Sequence, residues 1–168
     1  MATAIFYGSS TGNTQRAAEI ILENLGGSGI VDIYNVADGS IEKMSAYDKL
    51  IIGTSTWGEG NLQDDWEDVF EKFKKIDFRD KTVAFFGLGD QEEYPDEFLS
   101  AMGILYEVVA TGGAKTIGGW SVAGYYHDTS KAQDGKNFIG LALDDDNQSD
   151  ETNDRIDTWC EKIRSQIL

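Results

Sequence analysis

The segment Gly8-Ser9-Ser10-Thr11-Gly12-Asn13-Thr14 concentrates four hydroxyl side chains, two glycines and a carboxamide. It lies between an apolar run, Thr3–Gly8, and a stretch from Asn13 to Leu25 with Ala17, Ile21 and Leu25 at helical spacing, which Gly26-Gly27 stops. Backbone N–H groups at a helix N-terminus, ringed by hydroxyls, make a site for a phosphate or another anion. The segment holds no Lys or Arg, so an anion there keeps its charge and is held by dipoles and hydroxyls alone. A plain helix cap also uses Ser, Thr or Asn, but it needs one such residue, not five in six positions. Other anion loops fail at single positions. No lysine completes G-x-x-x-x-G-K-[ST], and Gly87-Leu88-Gly89 meets Glu92 where a dinucleotide fingerprint needs its third glycine. The one cysteine, Cys160, is too far along the chain to serve a cysteine phosphate loop. A phosphotransfer receiver needs acids after strand one and an aspartate ending strand three, where this chain has Gly8-Ser9 and Thr54-Ser55.

Two further segments each carry one large aromatic side chain. Thr54-Ser55-Thr56-Trp57-Gly58-Glu59-Gly60 follows the apolar run Lys49–Thr54, and Gly87-Leu88-Gly89-Asp90-Gln91-Glu92-Glu93-Tyr94-Pro95 follows Lys81–Leu88. Trp57 and Tyr94 can stack on the two faces of a flat ring, or simply plug the ends of their loops. With the hydroxyl-rich loop, they suggest a phosphorylated planar heterocycle.

The elements that must position these residues alternate. Thr3–Gly8, Gly29–Val36, Lys49–Thr54 and Lys81–Leu88 read as strands, and Lys115–Val122 begins a fifth that resumes over Phe138–Leu143. Asn13–Leu25, Ser40–Tyr47, Leu62–Lys75, Phe98–Thr111 and Asp150–Leu168 read as helices. Near-continuous apolar strands are buried on both faces, so the expectation is an α/β doubly wound parallel sheet with helices on each side. Ligands of such sheets bind beyond the carboxyl ends of the strands, where all three segments above fall. Ala123–Asn137 interrupts the fifth strand and reads as an inserted loop or small subsheet.

Composition narrows the function. With 168 residues the expectation is one domain, residues 1–168, with its own core. Thirty Asp and Glu against fourteen Lys and Arg give a net charge of −16, which disfavours nucleic acid and anionic membranes and favours basic partner surfaces. One Cys and one His leave no disulfide framework and no Cys- or His-rich metal centre. No apolar stretch approaches the ~18 residues of a membrane span, and no signal peptide is visible, so a cytoplasmic location is expected.

The residues then carry a resemblance. Ser9-Ser10-Thr11-Gly12-Asn13-Thr14, Thr56-Trp57, Gly89-Asp90-Gln91 with Tyr94, and Gly140-Leu141-Ala142-Leu143-Asp144-Asp145-Asp146-Asn147-Gln148 together resemble a flavodoxin, and the insertion Ala123–Asn137 resembles that of the long-chain type. The resemblance implies a flavodoxin-like five-stranded sheet of order 2-1-3-4-5 with an insertion in the fifth strand. It also implies non-covalently bound FMN and a low-potential one-electron carrier that shuttles between semiquinone and hydroquinone without a substrate of its own. By the same resemblance, Ser9, Ser10, Thr11, Gly12, Asn13 and Thr14 hold the phosphate. Trp57 and Tyr94 flank the isoalloxazine, Asp90 and nearby backbone meet its pyrimidine edge, and Asp146 approaches the ribityl chain. Ser55, Thr56, Gly58, Gly60, Leu88, Gly89 and Glu97 complete the implied cofactor set. The chain departs from the family pattern at Asn13, often lysine; at Ser55, often proline; and at Gly58-Glu59, often bulkier.

In the family the peptide after the tryptophan rearranges toward the flavin N5–H, and Gly58, having no Cβ, should ease that movement. Eighteen of the thirty acids fall in Glu59–Glu71, Asp90–Glu97 and Asp144–Asp157, each beginning at a ligand loop. Their field should lower the second potential, and neutralising Glu59, Asp64 and Asp65 should raise it. Expected partners are basic redox proteins, such as an NADPH-dependent flavodoxin/ferredoxin reductase and a downstream acceptor, and the carrier is expected to be a monomer. A flavin-dependent quinone or small-molecule reductase is the alternative, although Trp57 and Tyr94 would cover both ring faces. A third class is a dedicated activator of one metalloenzyme. His127 is expected to be solvated, and Cys160, Trp66, Phe70 and Trp120 are expected to pack rather than react.

Overall fold

The computed structural model describes residues 2–168. Its frame is a parallel sheet of β1 (Thr3–Tyr7), β2 (Val31–Asn35), β3 (Lys49–Trp57) and β5 (Thr82–Leu88), lying in the order β2-β1-β3-β5. The short β4 (Asn61–Leu62) pairs antiparallel with the end of β3. The fifth position beside β5 is shared by two pieces. β6 (Lys115–Ile117) pairs with Thr82–Ala84 and β10 (Leu141–Leu143) with Phe86–Leu88, both parallel. Counted by position this is the expected order 2-1-3-4-5, with the fifth strand split by an insertion.

The apolar runs become central strands because both of their faces are covered. Successive side chains on a strand point to opposite sides, so Ile5 and Phe6, or Phe85 and Phe86, feed different cores. Phe6, Trp66, Phe73, Phe78 and Phe85 lie on the face covered by α2 (Asp64–Phe73) and α3 (Ser100–Thr111). Ile5, Ile21, Phe86, Trp159 and Ile163 lie on the face covered by α1 (Asn13–Asn24) and α4 (Thr152–Ile167). Burying each large side chain contributes roughly 1.5–3 kcal/mol, which makes this double layer the rigid support for the loops above it.

The insertion is the small subsheet foreseen as one option. β7 (Trp120–Ser121), β9 (Asn137–Phe138) and β8 (Gln133–Asp134) pair antiparallel in the order β7-β9-β8. The interruption is therefore wider than Ala123–Asn137, and the fifth strand resumes at Leu141 rather than Phe138.

Three other expectations need correction. Ser40–Tyr47 forms a 3₁₀ turn over Ile41–Ala46 and not an α-helix. Its buried residues Ile41, Met44 and Tyr47 are three apart, the period of a 3₁₀ turn. The third strand does not stop at Thr54 but runs to Trp57, because Thr56 and Trp57 find partners in Leu62 and Asn61. His127 is not solvated: its ring lies 5.3 Å from Phe98 and 5.0 Å from Phe138, and Nε2 is hydrogen-bonded to Gln133 Oε1 at 2.6 Å. Cys160 and Trp66 are fully buried, as expected.

Candidate functional site

A cleft of about 410 Å³ opens at the carboxyl ends of β1, β3, β5 and β10. It is lined by Thr11, Asn13 and Thr14 from the first loop and by Ser55, Thr56 and Trp57 from the end of β3. Leu88, Gly89, Asp90, Glu93 and Tyr94 line it after β5, and Asp145 and Asp146 after β10. Four distant stretches of sequence thus converge because their strands are neighbours in the sheet.

At one end the cleft meets the start of α1. Gly12 caps that helix with φ +94°, a left-handed conformation that favours glycine, and no side chain caps it. Ser9 Oγ is used instead by Gly12 N at 3.0 Å. The first-turn N–H groups are consequently free of a side-chain acceptor, and the first turn carries no acid to repel an anion. A plain helix cap, the competing reading of this loop, is therefore not what forms. Arg16 donates to Asn13 Oδ1 at the same turn, placing a guanidinium just beyond the loop. Ser10 is held from below by Gln63, whose Nε2 donates to Ser10 Oγ at 3.1 Å while its Oε1 accepts from Trp66 N at 3.3 Å. Gln63 is fully buried, and no sequence motif singled it out.

The walls are aromatic. Trp57 is 42% and Tyr94 38% exposed, high values for such large side chains beside a cleft. Trp57 Nε1 donates to Ser55 Oγ at 3.0 Å, which fixes the indole over its own strand. Thr56 Oγ1 accepts from Ala101 N at 3.0 Å, tying the strand end to α3. Gly58, in the turn that follows, has φ +50°, the conformation expected of a residue chosen for having no Cβ.

The remaining side is acidic and tightly cross-linked. Asp144, fully buried, accepts from Gln91 N at 3.1 Å and from Gln91 Nε2 at 2.8 Å. Asn147 adds its N at 3.1 Å and its Nδ2 at 2.9 Å. Asp90 Oδ1 accepts from Glu92 N, Glu93 N and Asn147 Nδ2, so this oxygen braces its own loop. Burial, followed by the charges of Asp90, Asp144, Asp145 and Glu93, raises the Asp146 carboxyl above its ordinary range. Four acids and no base line the cleft.

The structure brings most of the expected residues together. Ser9, Ser10 and Gly12 sit in the first loop but do not line the cleft: Ser9 Oγ accepts from Gly12 N within the loop, and Ser10 Oγ accepts from Gln63. Gly60 lines a separate cavity behind the β3–β4 turn, and Glu97 faces Gly60 rather than the cleft. Glu93 and Asp145 line the cleft although the sequence motifs did not select them, and Gln63, Gln91, Asp144 and Asn147 hold the loops that form it. The quoted motif did contain Gln91, Asp144 and Asn147, but nothing in it marked them as cross-links.

Cys160 is no second centre. Burial pushes its thiol up to about 12, which leaves no thiolate at neutral pH. Among the described residues no helix is long and apolar enough to cross a membrane, and no cluster of His, Cys, Asp and Glu is arranged to hold a metal.

Comparison with known proteins agrees with this geometry. The family model described as Flavodoxin matches residues 5–159. A flavodoxin of Synechococcus elongatus is 45% identical over 163 residues, covering 97% of this chain and 96% of the relative. Flavodoxin 1 of Escherichia coli is 40% identical, covering 98% and 94%. Among solved structures, Fusobacterium nucleatum flavodoxin bound to flavin mononucleotide superposes with a TM-score of 0.93 at 30% identity, covering 99% of each chain. The chain belongs to the flavodoxin family.

Proposed function

We propose that the cleft binds FMN non-covalently and that the chain carries single electrons between redox proteins, with no substrate of its own. The observation that carries this reading is the convergence of an uncapped helix N-terminus with two exposed aromatic walls in one cleft. The donor set fits the group. A phosphate monoester is met by N–H groups and hydroxyls at α1, and a flat ring by Trp57 and Tyr94. When bound, FMN supplies one-electron chemistry that no side chain here provides.

The residues then have distinct tasks. Thr11, Asn13 and Thr14 orient hydroxyl and amide groups at the anion end. Trp57 and Tyr94 would exclude water from the faces of a bound flat ring, and the backbone of Gly89 and Asp90, which lines the same cleft, would serve its polar edge. Asp90, Glu93, Asp145 and Asp146 surround the site with negative charge. In a poorly solvated stack that field opposes the addition of further negative charge, which favours a low potential and a strong reductant. The same rim favours basic partners, an NADPH-dependent reductase on one side and a downstream acceptor on the other. A cytoplasmic setting belongs to this reading. A quinone or small-molecule reductase on the same fold is disfavoured, because the two aromatic walls leave no open ring face for a substrate.

Titrating FMN into flavin-free protein tests the reading. The expected result is stoichiometric quenching of flavin fluorescence, followed by two separate one-electron waves on anaerobic reduction. Unquenched flavin would overturn the cofactor assignment, and a single two-electron wave with turnover of quinone by NADPH alone would overturn the carrier assignment.

A further inference from the structure

Glu97 differs from every acid that lines the cleft. Its Oε2 is buried without a hydrogen-bond partner, a condition shared among the described residues only by His127 Nδ1. A buried polar atom in this state has given up its hydration for nothing, which is why nearly all are paired. The residue is anchored on the Tyr94 side. Glu97 N donates to Tyr94 O at 3.3 Å, and Ser100 N donates to Glu97 O at 3.2 Å at the start of α3.

The unpaired oxygen is aimed at Gly60. A Cβ at that position would lie 2.5 Å from Glu97 Oε2 and 3.0 Å from its Cδ. Gly60 has φ +90° and Gly58 φ +50°, so glycine stands at both ends of the three-residue turn that joins Trp57 to Asn61. Each can cross to negative φ without the steric penalty that a side chain imposes. The turn therefore has the freedom to rotate a peptide, and a buried acceptor waits beside it.

We propose that Glu97 is the positioning residue for this turn: rotation of a peptide within Gly58–Gly60 delivers a backbone N–H to Oε2, and the carboxyl thereby sets the balance between two backbone arrangements after Trp57. The consequence for FMN rests on the reading above, since the arrangement decides which backbone atom faces the ring. The link also joins the two walls, because the turn is continuous with Trp57 and Glu97 is hydrogen-bonded to the Tyr94 loop. The cavity behind the turn is lined by Glu59, Asp64, Glu67 and Lys131, and Lys131 is the one cation there that could claim the carboxyl instead.

Amide ¹⁵N relaxation dispersion on flavin-free protein reads the balance directly. Gly58, Glu59 and Gly60 should show exchange in the parent protein. Glu97→Ala should reduce the minor population at least tenfold, while Glu97→Gln, which keeps an acceptor oxygen, should restore a substantial part. Lys131→Met should leave the exchange unchanged. Absence of exchange in the parent, an unchanged turn in Glu97→Ala, or equal loss in the Gln and Ala variants would overturn the proposal. So would loss of exchange in Lys131→Met. Amides of β1 and β5 report whether each variant is folded. Flavin quenching by the parent is measured separately, so a failure of the cofactor reading leaves the turn result standing.

Discussion

Single residues at the site differ in what their environment does to them. Asp146 and Asp144 are two positions apart, yet one is a surface carboxyl raised by partial desolvation and by neighbouring acids, and the other a fully buried hydrogen-bond acceptor. For Asp146 the sign follows from linkage. A folded-state value above the ordinary ~4 means that the folded form binds the proton more readily than the unfolded chain. Its ionisation therefore costs stability at neutral pH, and the cost disappears as pH falls through the raised value toward the ordinary one. Asp146→Asn should raise the Tm of flavin-free protein slightly at pH 7, with the gain vanishing below about pH 4. A gain independent of pH would show that charge is not the cause.

At the scale of elements, the decisive feature is how loops from separate strands are locked to one another. Asp144, just after β10, ties down Gln91 in the loop after β5, and Gln91 Oε1 in turn accepts from Tyr126 N in the insertion. Asp128 N and Thr129 N of the insertion donate to Pro95 O at 2.8 Å and 3.0 Å, so the subsheet also braces the Tyr94 loop. Removing Asp144 strands buried donors on Gln91. Asp144→Ala should cost about 2–4 kcal/mol of unfolding free energy in urea and weaken FMN binding more than Asp146→Asn does. Loss of stability with unchanged FMN affinity would separate the brace from the site. At the opposite end, Gly12 leaves the first turn of α1 without a side-chain cap, which suits the anion end of the proposed cofactor site.

The whole molecule is an acidic body with net charge −16 whose cleft is lined by acids alone among its ionising side chains other than Tyr94. Such a field steers basic partners over distances that salt controls, about 30 Å at 0.01 M and about 3 Å at 1 M. Reduction of the FMN-loaded protein by a basic NADPH-dependent reductase should slow at least tenfold between low and high ionic strength, as followed by stopped-flow absorbance. A rate indifferent to salt would remove the acidic rim from partner recognition.

By itself the amino-acid sequence determined what is local. Runs such as Lys81–Leu88 declare strands buried on both faces, and the hydroxyl-rich loop before a helical pattern declares a turn that opens a helix. Trp57 and Tyr94, placed at strand ends, declare the walls of a crevice. Each of these is written in consecutive side chains and the fixed periods of strand and helix. In Ser40–Tyr47 the three-residue spacing of Ile41, Met44 and Tyr47 was present but too short to separate a 3₁₀ turn from an α-helix. Only tertiary structure decided which side chains meet across the chain. Gln63 reaches Ser10 and Asp144 reaches Gln91, each across 53 residues. Glu97 is turned away from the cleft toward Gly60, and His127 is drawn out of solvent against Phe98 and Phe138. The reason is physical. A carboxamide or carboxyl carries no local preference that names a distant partner, and its role is settled only when packing removes the water that would otherwise satisfy it.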